Sequence, residues 1–147
     1  SLKNWVKNYI ANNKGVCIVG WGGYVPLRRF SVEELVQRRE KKTRIDFYRY
    51  GLWAEEKAIP GIDEDTITLG WEAANNAIKR SEIDCKSIEA SFFGKESGPY
   101  AVGSSGLHVA AFFESCQNLK HVADLELACN SGMEALSICR NYVESGE

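Results

Sequence analysis

The sequence predicts an α/β fold with a largely parallel sheet. Three short apolar runs, at residues 16–19, 88–94 and 122–127, have the length and composition of strands buried on both faces. Segments with helical periodicity separate them, so strands and helices alternate along the chain. With 147 residues, 44% of them apolar and 26% charged, the chain is one domain or a piece of one.

The composition argues against several classes of protein. A net charge of -2 gives no global basic field for nucleic acid or a membrane surface. No stretch approaches the ~18 apolar residues of a membrane span, and the N-terminus lacks the apolar core of a secretory signal. The cysteines are odd in number and irregularly spaced, which argues against a structural zinc or a disulfide framework. We therefore expect a reducing, cytoplasmic setting and no metal.

The first 15 residues are predicted to be an amphipathic helix followed by a linker, and residues 16–147 to be the main domain. Apolar residues recur at helical spacing within residues 2–11, and turn-forming residues follow them. Two lysines in so short a helix favour packing on a protein partner or on the domain surface over a membrane anchor.

A glycine-rich loop at residues 20–26 follows the first predicted strand. It does not form a dinucleotide-binding motif, because Val25 stands where the last glycine is needed and Pro26 would obstruct the start of a helix. The glycines are expected to permit tight turning and close packing.

Two helix starts are signalled locally. Ser31 and Glu34 have the spacing of a capping box, which predicts a helix from about Val32. The acidic residues at 63–65 are typical of the start of a second helix, where they cap it and complement its dipole, and this is favoured over a metal cluster.

Basic residues near the first helix have two interpretations. The stretch 38–44 closes that helix, where cations are favourable and usually solvated. The alternative is that this stretch binds ligand phosphates. The same alternative applies to Arg28 and Arg29, which come just after the glycine loop. The stretch is too small to predict a nucleic-acid interface.

Glu96 and Cys129 each follow a predicted strand. A carboxylate at the end of an interior strand lies where open α/β sheets place their ligand sites, although position alone would favour a surface glutamate. Between them, residues 104–116 are predicted to form a helix in which His108 is a packing residue.

Cys129 is predicted to lie at the N-terminus of the last helix. There the helix dipole and unpaired N–H groups stabilise a thiolate, which makes a cysteine nucleophilic. The alternative is a buried core cysteine. Along that helix the spacing predicts an inward face made of Ala135, Leu136, Cys139, Tyr142 and Val143.

Four segments together resemble a known family. Residues 24–26, 60–66, 95–102 and 124–129 look like the N-terminal part of hydroxymethylglutaryl-CoA synthase, especially its archaeal branch, which belongs to the thiolase-like superfamily. The match runs in order, with compatible spacing, over residues 16–147. The implied fold is the first half of a duplicated thiolase-like fold, with a mostly parallel sheet and covering helices.

The resemblance implies roles for individual residues. Cys129 matches the nucleophile that takes an acetyl group from acetyl-CoA. Glu96 matches the general acid/base that deprotonates the acetyl methyl group, whose carbanion then attacks acetoacetyl-CoA. Arg28 and Arg29 lie in a region that lines the CoA entrance in relatives. CoA thioesters are the implied substrates, no further cofactor is expected, and a step of the mevalonate route to isoprenoids is implied.

The resemblance also implies that the fold is incomplete. The family's catalytic histidine and the second half of the fold lie beyond residue 147, and His108 and His121 occupy no matching position. We therefore expect a fragment of a longer enzyme, or a piece needing a complementary chain, inactive alone and dimeric when complete. Residues 130–133 differ from the Lys- or Tyr-containing versions of the family, which leaves open another thiolase-fold acyltransferase or ketosynthase. A non-enzymatic interaction subunit using the N-terminal helix is the third hypothesis.

Overall fold

A computed structural model describes residues 4, 8, 15–38, 44–113 and 118–146. Most of the predicted N-terminal helix, the centre of the basic stretch and the end of the predicted 104–116 helix lie outside these residues.

Four strands and four α-helices are found in the described residues, with short helical turns between them. In chain order they are β1 (Arg28–Ser31), α1 (Val32–Arg38), a π-helical turn (Phe47–Gly51), β2 (Glu56–Ile59), α2 (Thr66–Ser81), a 3-10 turn (Cys85–Ser87), β3 (Ala90–Gly94), α3 (Ser105–Ala111), β4 (His121–Leu125), a second 3-10 turn (Ala128–Asn130) and α4 (Ser131–Ser145).

The described strands form two separate pairs. β1 and β2 are antiparallel, with Arg28 opposite Ile59. β3 and β4 are parallel, with Gly94 opposite Leu125 at their carboxyl ends. The Lys95 N–H extends this pairing by donating to the Leu125 carbonyl at 3.0 Å. Because both strands end at one edge, the residues that follow them emerge side by side.

The predicted helix starts are confirmed by their hydrogen bonds. The Ser31 N–H donates to Glu34 Oε2 at 2.9 Å while the Glu34 N–H donates to Ser31 Oγ at 3.2 Å. At α2, Asp65 Oδ1 accepts the Thr68 N–H at 2.9 Å, so this acidic residue is a cap as expected. The apolar residues most fully buried are Val32, Ile67, Cys85, Val109, Ala110 and Ala135.

The strand predicted at residues 16–19 is wrong. Ile18 is 72% exposed, Val19 is 55% exposed, and residues 15–26 pair with no strand among the described residues. The segment instead lies against α2: a Cβ on Gly22 would stand 2.2 Å from the Ala73 carbonyl oxygen. The apolar run is therefore not a paired strand, while the expected close packing of the glycine loop is found at Gly22, against α2.

The inward face predicted for α4 is only partly correct. Ala135 is buried, but Leu136 and Val143 are 47% and 59% exposed. Cys139 is half-buried, and this burial raises the pKa of its thiol. The helix packs on β3 with one side only, and its other apolar side, with residues 16–18, borders an open surface.

The cysteines are not all free. Cys85 is disulfide-bonded, whereas Cys17, Cys129 and Cys139 are free thiols. The number and spacing of the cysteines argued against a disulfide framework, so the disulfide at Cys85 was not expected. Number and spacing do not determine which sulfur atoms the fold brings together.

Candidate active site

The candidate site is the meeting point of Glu96 and Cys129. The Cys129 thiol donates to Glu96 Oε1 across 3.4 Å, although the two residues are 33 positions apart in sequence. Glu96 comes two residues after β3, and Cys129 lies in the turn that joins β4 to α4. The structure thus brings together the two residues that the sequence singled out separately.

The backbone around Cys129 holds its thiol at the surface. Ala128 has a φ of 50°, a left-handed conformation that is costly for a residue with a side chain. Cys129 is exposed in the 3-10 turn that leads into α4. Asn130, at the N-cap of that helix, makes no side-chain capping bond. A helix N-terminus without a side-chain cap lies next to the thiol, where its backbone N–H groups can stabilise a developing oxyanion.

Ser131 links this turn to the end of β3. It is only 3% exposed, and its Oγ accepts the Leu127 N–H at 2.8 Å. The same Oγ lies 2.8 Å from the Ala128 carbonyl oxygen and 3.0 Å from the Lys95 carbonyl oxygen, and its hydroxyl donates to one of the two. One buried side chain therefore fixes the residues before Cys129 relative to the residue before Glu96.

A glycine makes this close approach possible. A Cβ placed on Gly94 would stand 2.7 Å from the Ser131 carbonyl carbon. Any side chain at the last residue of β3 would therefore push α4 away and lengthen the separation between Glu96 and Cys129.

Lys95 is the residue that sequence reasoning missed. It is 8% exposed, and its Nζ lies 2.9 Å from Asp124 Oδ2, 3.0 Å from Glu126 Oε1 and 3.1 Å from Ser105 Oγ. Hydrogen bonds from its ammonium group to the two carboxylates raise the pKa of Lys95. The available signal in the sequence was a lysine at the end of an apolar strand together with alternating carboxylates at the end of the next.

Asp124 ties the same cluster to α3. Its carboxylate accepts the Ser105 N–H at 2.7 Å, the Gly106 N–H at 2.8 Å and the Ser104 hydroxyl at 2.7 Å. Burial by itself would raise the pKa of Asp124, but the hydrogen bonds from Lys95 and from the start of α3 outweigh it and lower the pKa to about 2. Asp124 is therefore charged across the physiological range.

A groove opens beside Glu96 on the side facing α2. Its volume is about 570 Å³, and both apolar and polar residues of α2 and of the end of β3 line it. The lining residues are Thr66, Leu69, Gly70, Ala73, Phe93, Gly94, Lys95, Glu96 and Ser97.

Arg28 and Arg29 are not brought to this site by any contact that the structure records. Both lie on β1, in the antiparallel pair. The Arg29 guanidinium donates to the carbonyl oxygens of Pro26 and Arg28. Hydrogen bonds from Tyr24 and Gly61, with a smaller effect of the Arg28 charge, lower the pKa of Glu64.

The two histidines make ring contacts. His108 lies against Tyr100 with ring centroids 5.4 Å apart, and its Nδ1 is 2.7 Å from the Ser104 carbonyl oxygen. His121 packs edge-on against Tyr142, also at 5.4 Å. His108 is exposed, so its ring contacts Tyr100 at the surface rather than packing in the core.

The described residues contain neither a cluster of metal-ligand side chains nor a membrane-spanning helix. Within the described ranges, no three His, Cys, Asp or Glu side chains are grouped as metal ligands would be. None of the helices described is long and apolar enough to cross a bilayer.

Comparison with known proteins finds relatives that align with most of this chain. No protein-family model matches the chain. The hydroxymethylglutaryl-CoA synthase of Methanocaldococcus jannaschii is 44% identical over 129 residues, which are 88% of this chain and 36% of the relative. The chain therefore spans about a third of the length of the curated relatives it matches.

Solved structures agree on the fold. A structure of MvaS in complex with 3-hydroxy-3-methylglutaryl coenzyme A superposes with a TM-score of 0.75 at 26% identity, over 90% of this chain and 31% of that chain. The priming β-ketosynthase of the R1128 polyketide pathway superposes with a TM-score of 0.76 at 22% identity, over 88% of this chain and 37% of that one. Because its identity is only 22%, the likeness to the β-ketosynthase shows the fold alone. The chain is therefore a homologue of part of the archaeal hydroxymethylglutaryl-CoA synthases, and it has a partial thiolase-like fold.

Proposed function

We propose that this chain supplies the nucleophile and the general acid/base of a hydroxymethylglutaryl-CoA synthase reaction. The observation that carries the proposal is the 3.4 Å contact between Cys129 Sγ and Glu96 Oε1. The similarity to curated hydroxymethylglutaryl-CoA synthases supports the choice of reaction.

The first step is acetylation of Cys129. The thiolate attacks the carbonyl carbon of acetyl-CoA, the C–S bond to CoA breaks, and CoA leaves as a thiol after taking up a proton. The start of α4, where Asn130 makes no side-chain capping bond, supports the oxyanion of the tetrahedral intermediate.

The second step is carbon–carbon bond formation. The Glu96 carboxylate removes a proton from the methyl group of acetyl-Cys129, and the resulting carbanion attacks the ketone carbon of acetoacetyl-CoA. The alkoxide that forms takes up a proton. Water then cleaves the thioester, which releases hydroxymethylglutaryl-CoA and regenerates the Cys129 thiol.

In this proposal the chain acts as part of a longer protein or of a complex. The catalytic histidine that the family resemblance implies comes from outside these 147 residues, so the chain alone is inactive in condensation. A homodimer or a complementary chain completes the fold, and the product feeds the mevalonate route to isoprenoids. Arg28 and Arg29 remain proposed contacts for CoA phosphates, and the exposed Arg28 is the better placed because Arg29 is engaged with backbone carbonyls.

Intact-mass spectrometry of the complete protein with acetyl-CoA tests the first step. We expect the mass of one acetyl group to be added, and to be absent in Cys129→Ala. Cys17→Ala is the matched control, because it removes another exposed free thiol and should leave the adduct in place. Absence of an adduct in the wild type would contradict the proposal.

Glu96→Gln tests the second step. Condensation should fall by about 10²- to 10⁴-fold, the usual contribution of a positioned general acid/base, while acetylation of Cys129 survives. Glu89→Gln changes a carboxylate just before the other end of β3 and should leave condensation near the wild-type rate. Unchanged condensation in Glu96→Gln would remove Glu96 from this role.

A further inference from the structure

We propose that Lys95 is a positioning residue, whose buried ammonium group sets the position of the Glu96 carboxylate relative to Cys129. The inference rests on the proposed function and adds to it a residue that neither acetylation nor condensation uses directly.

The side chain of Lys95 connects three parts of the fold. Its Nζ reaches Asp124 and Glu126 at the end of β4 and Ser105 at the start of α3, at distances of 2.9, 3.0 and 3.1 Å. Its three N–H bonds match these three acceptors, and the side chain is 5% exposed. A lysine held in this way has little rotational freedom left.

The backbone of Lys95 is held as well. Its N–H donates to the Leu125 carbonyl at 3.0 Å, and its carbonyl lies 3.0 Å from Ser131 Oγ at the start of α4. Gly98 covers the amino group from the other side, since a Cβ there would stand 2.8 Å from Lys95 Nζ. The residue next in sequence to Glu96 is therefore fixed on both backbone faces and at the tip of its side chain.

The consequence concerns Glu96. This residue follows Lys95 directly and contacts Cys129 through one thiol–carboxylate hydrogen bond, with 3.4 Å between the sulfur and the oxygen. A thiol is a weak donor, and this bond is lost once the sulfur is acetylated, so it does not hold the carboxylate during condensation. The Lys95 cluster supplies the rigidity that a general base needs, because a displacement of about 1 Å lowers rates by about 100-fold.

Two reactions, acetylation of Cys129 and exchange of the acetyl methyl protons, distinguish a positioning role of Lys95 from a general effect on stability. Acetylation of Cys129 does not require Glu96, whereas exchange of the acetyl methyl protons does. In heavy water, Glu96 takes a proton from the methyl group of acetyl-Cys129, exchanges it with solvent and returns a deuteron. Deuterium incorporation, read by mass spectrometry, therefore reports the position of Glu96.

The experiment compares Lys95→Met with Lys120→Met in the complete protein. Methionine keeps the unbranched length and removes the charge. We expect Lys95→Met to acetylate Cys129 within about twofold of wild type but to lose at least about tenfold in methyl exchange, as misplacement of the base requires. The control Lys120→Met should change neither rate, because Lys120 pairs with Glu89 at the other end of the same strands.

Two results would overturn the inference. One is exchange in Lys95→Met within twofold of wild type, and the other is an equal loss of acetylation and exchange, which is the result of a merely structural role. If Lys95→Met does not fold, Glu126→Gln decides, because Glu126 is 58% exposed and is one of the two carboxylates that hold Lys95. Exchange reduced with acetylation retained then supports the inference, and any other result contradicts it.

Failure of the proposed function has a different signature. It would appear as a wild-type protein that is not acetylated, or as exchange that survives in Glu96→Gln. Neither result depends on Lys95.

Discussion

The two ends of the β3–β4 pair carry the same kind of ion pair in different surroundings. At the amino end, Lys120 Nζ lies 2.9 Å from Glu89 Oε1, and the two side chains are 57% and 40% exposed. At the carboxyl end, Lys95 Nζ lies 2.9 Å from Asp124 Oδ2, with exposures of 5% and 15%. The distances are equal, so burial distinguishes the two pairs.

The difference shows where this sheet has to be rigid. An exposed pair is screened by water and contributes little to stability. A buried pair is tolerated only when all its polar atoms have partners, and Asp124 has them in Ser104, Ser105 and Gly106. The buried cluster lies at the end of the sheet that delivers Glu96 and Cys129, and it joins β3, β4 and α3 there.

The largest expected effect is that of Asp124→Asn. It leaves the Lys95 charge with less compensation in a buried place, so we expect the free energy of unfolding to fall by about 3 kcal/mol. The matched change at the other end, Glu89→Gln, should cost at most about 1 kcal/mol. Urea denaturation measures both, and equal losses would show that burial does not separate the two pairs.

The pH dependence of stability gives the next largest effect. The pKa of Asp124 is lowered from 3.8 to about 2, so its stabilising contribution is complete above the higher value and is lost as the pH falls towards the lower one. We expect the free energy of unfolding of the wild type to fall by about 2 kcal/mol between about pH 5 and pH 2 because of Asp124. The Asp124→Asn variant should not show this loss. The raised pKa of Lys95 works in the opposite direction, since its contribution is present below 10.5 and is lost as the pH rises further.

Acid denaturation of the wild type and of Asp124→Asn measures this difference. Parallel stability curves for the two proteins over that range would contradict the assignment of the charged state to Asp124.

The smallest of these effects is expected for Ser131→Ala. The change leaves the Leu127 N–H without its 2.8 Å acceptor and releases the Lys95 carbonyl, which costs about 1.5 kcal/mol. Ser137, exposed on the same helix, is the control, because alanine there is a better helix former and should be neutral or slightly stabilising. Thermal unfolding measures both, and a neutral Ser131→Ala would remove Ser131 as the link between α4 and β3.

Much of the local structure could be predicted from the sequence. The capping box at Ser31, the acidic helix start at residues 63–65 and the helix start after Cys129 depend on residues at most a few positions apart, and all are found. The α/β class and the thiolase-like resemblance were also available and are confirmed. Residues 16–19 were misassigned because a short apolar run has the same composition whether it pairs with a strand or packs on a helix.

The sequence by itself determined that a cysteine lies at a helix start and that a glutamate follows another strand. These are consequences of local periodicity and capping, which act within one element. Only the tertiary structure decided that the two side chains meet at 3.4 Å, that Lys95 is buried between two carboxylates, and that Gly94 lets α4 approach β3. Each of these depends on how separate elements pack together, and the free energy of that packing is shared among residues far apart in the chain.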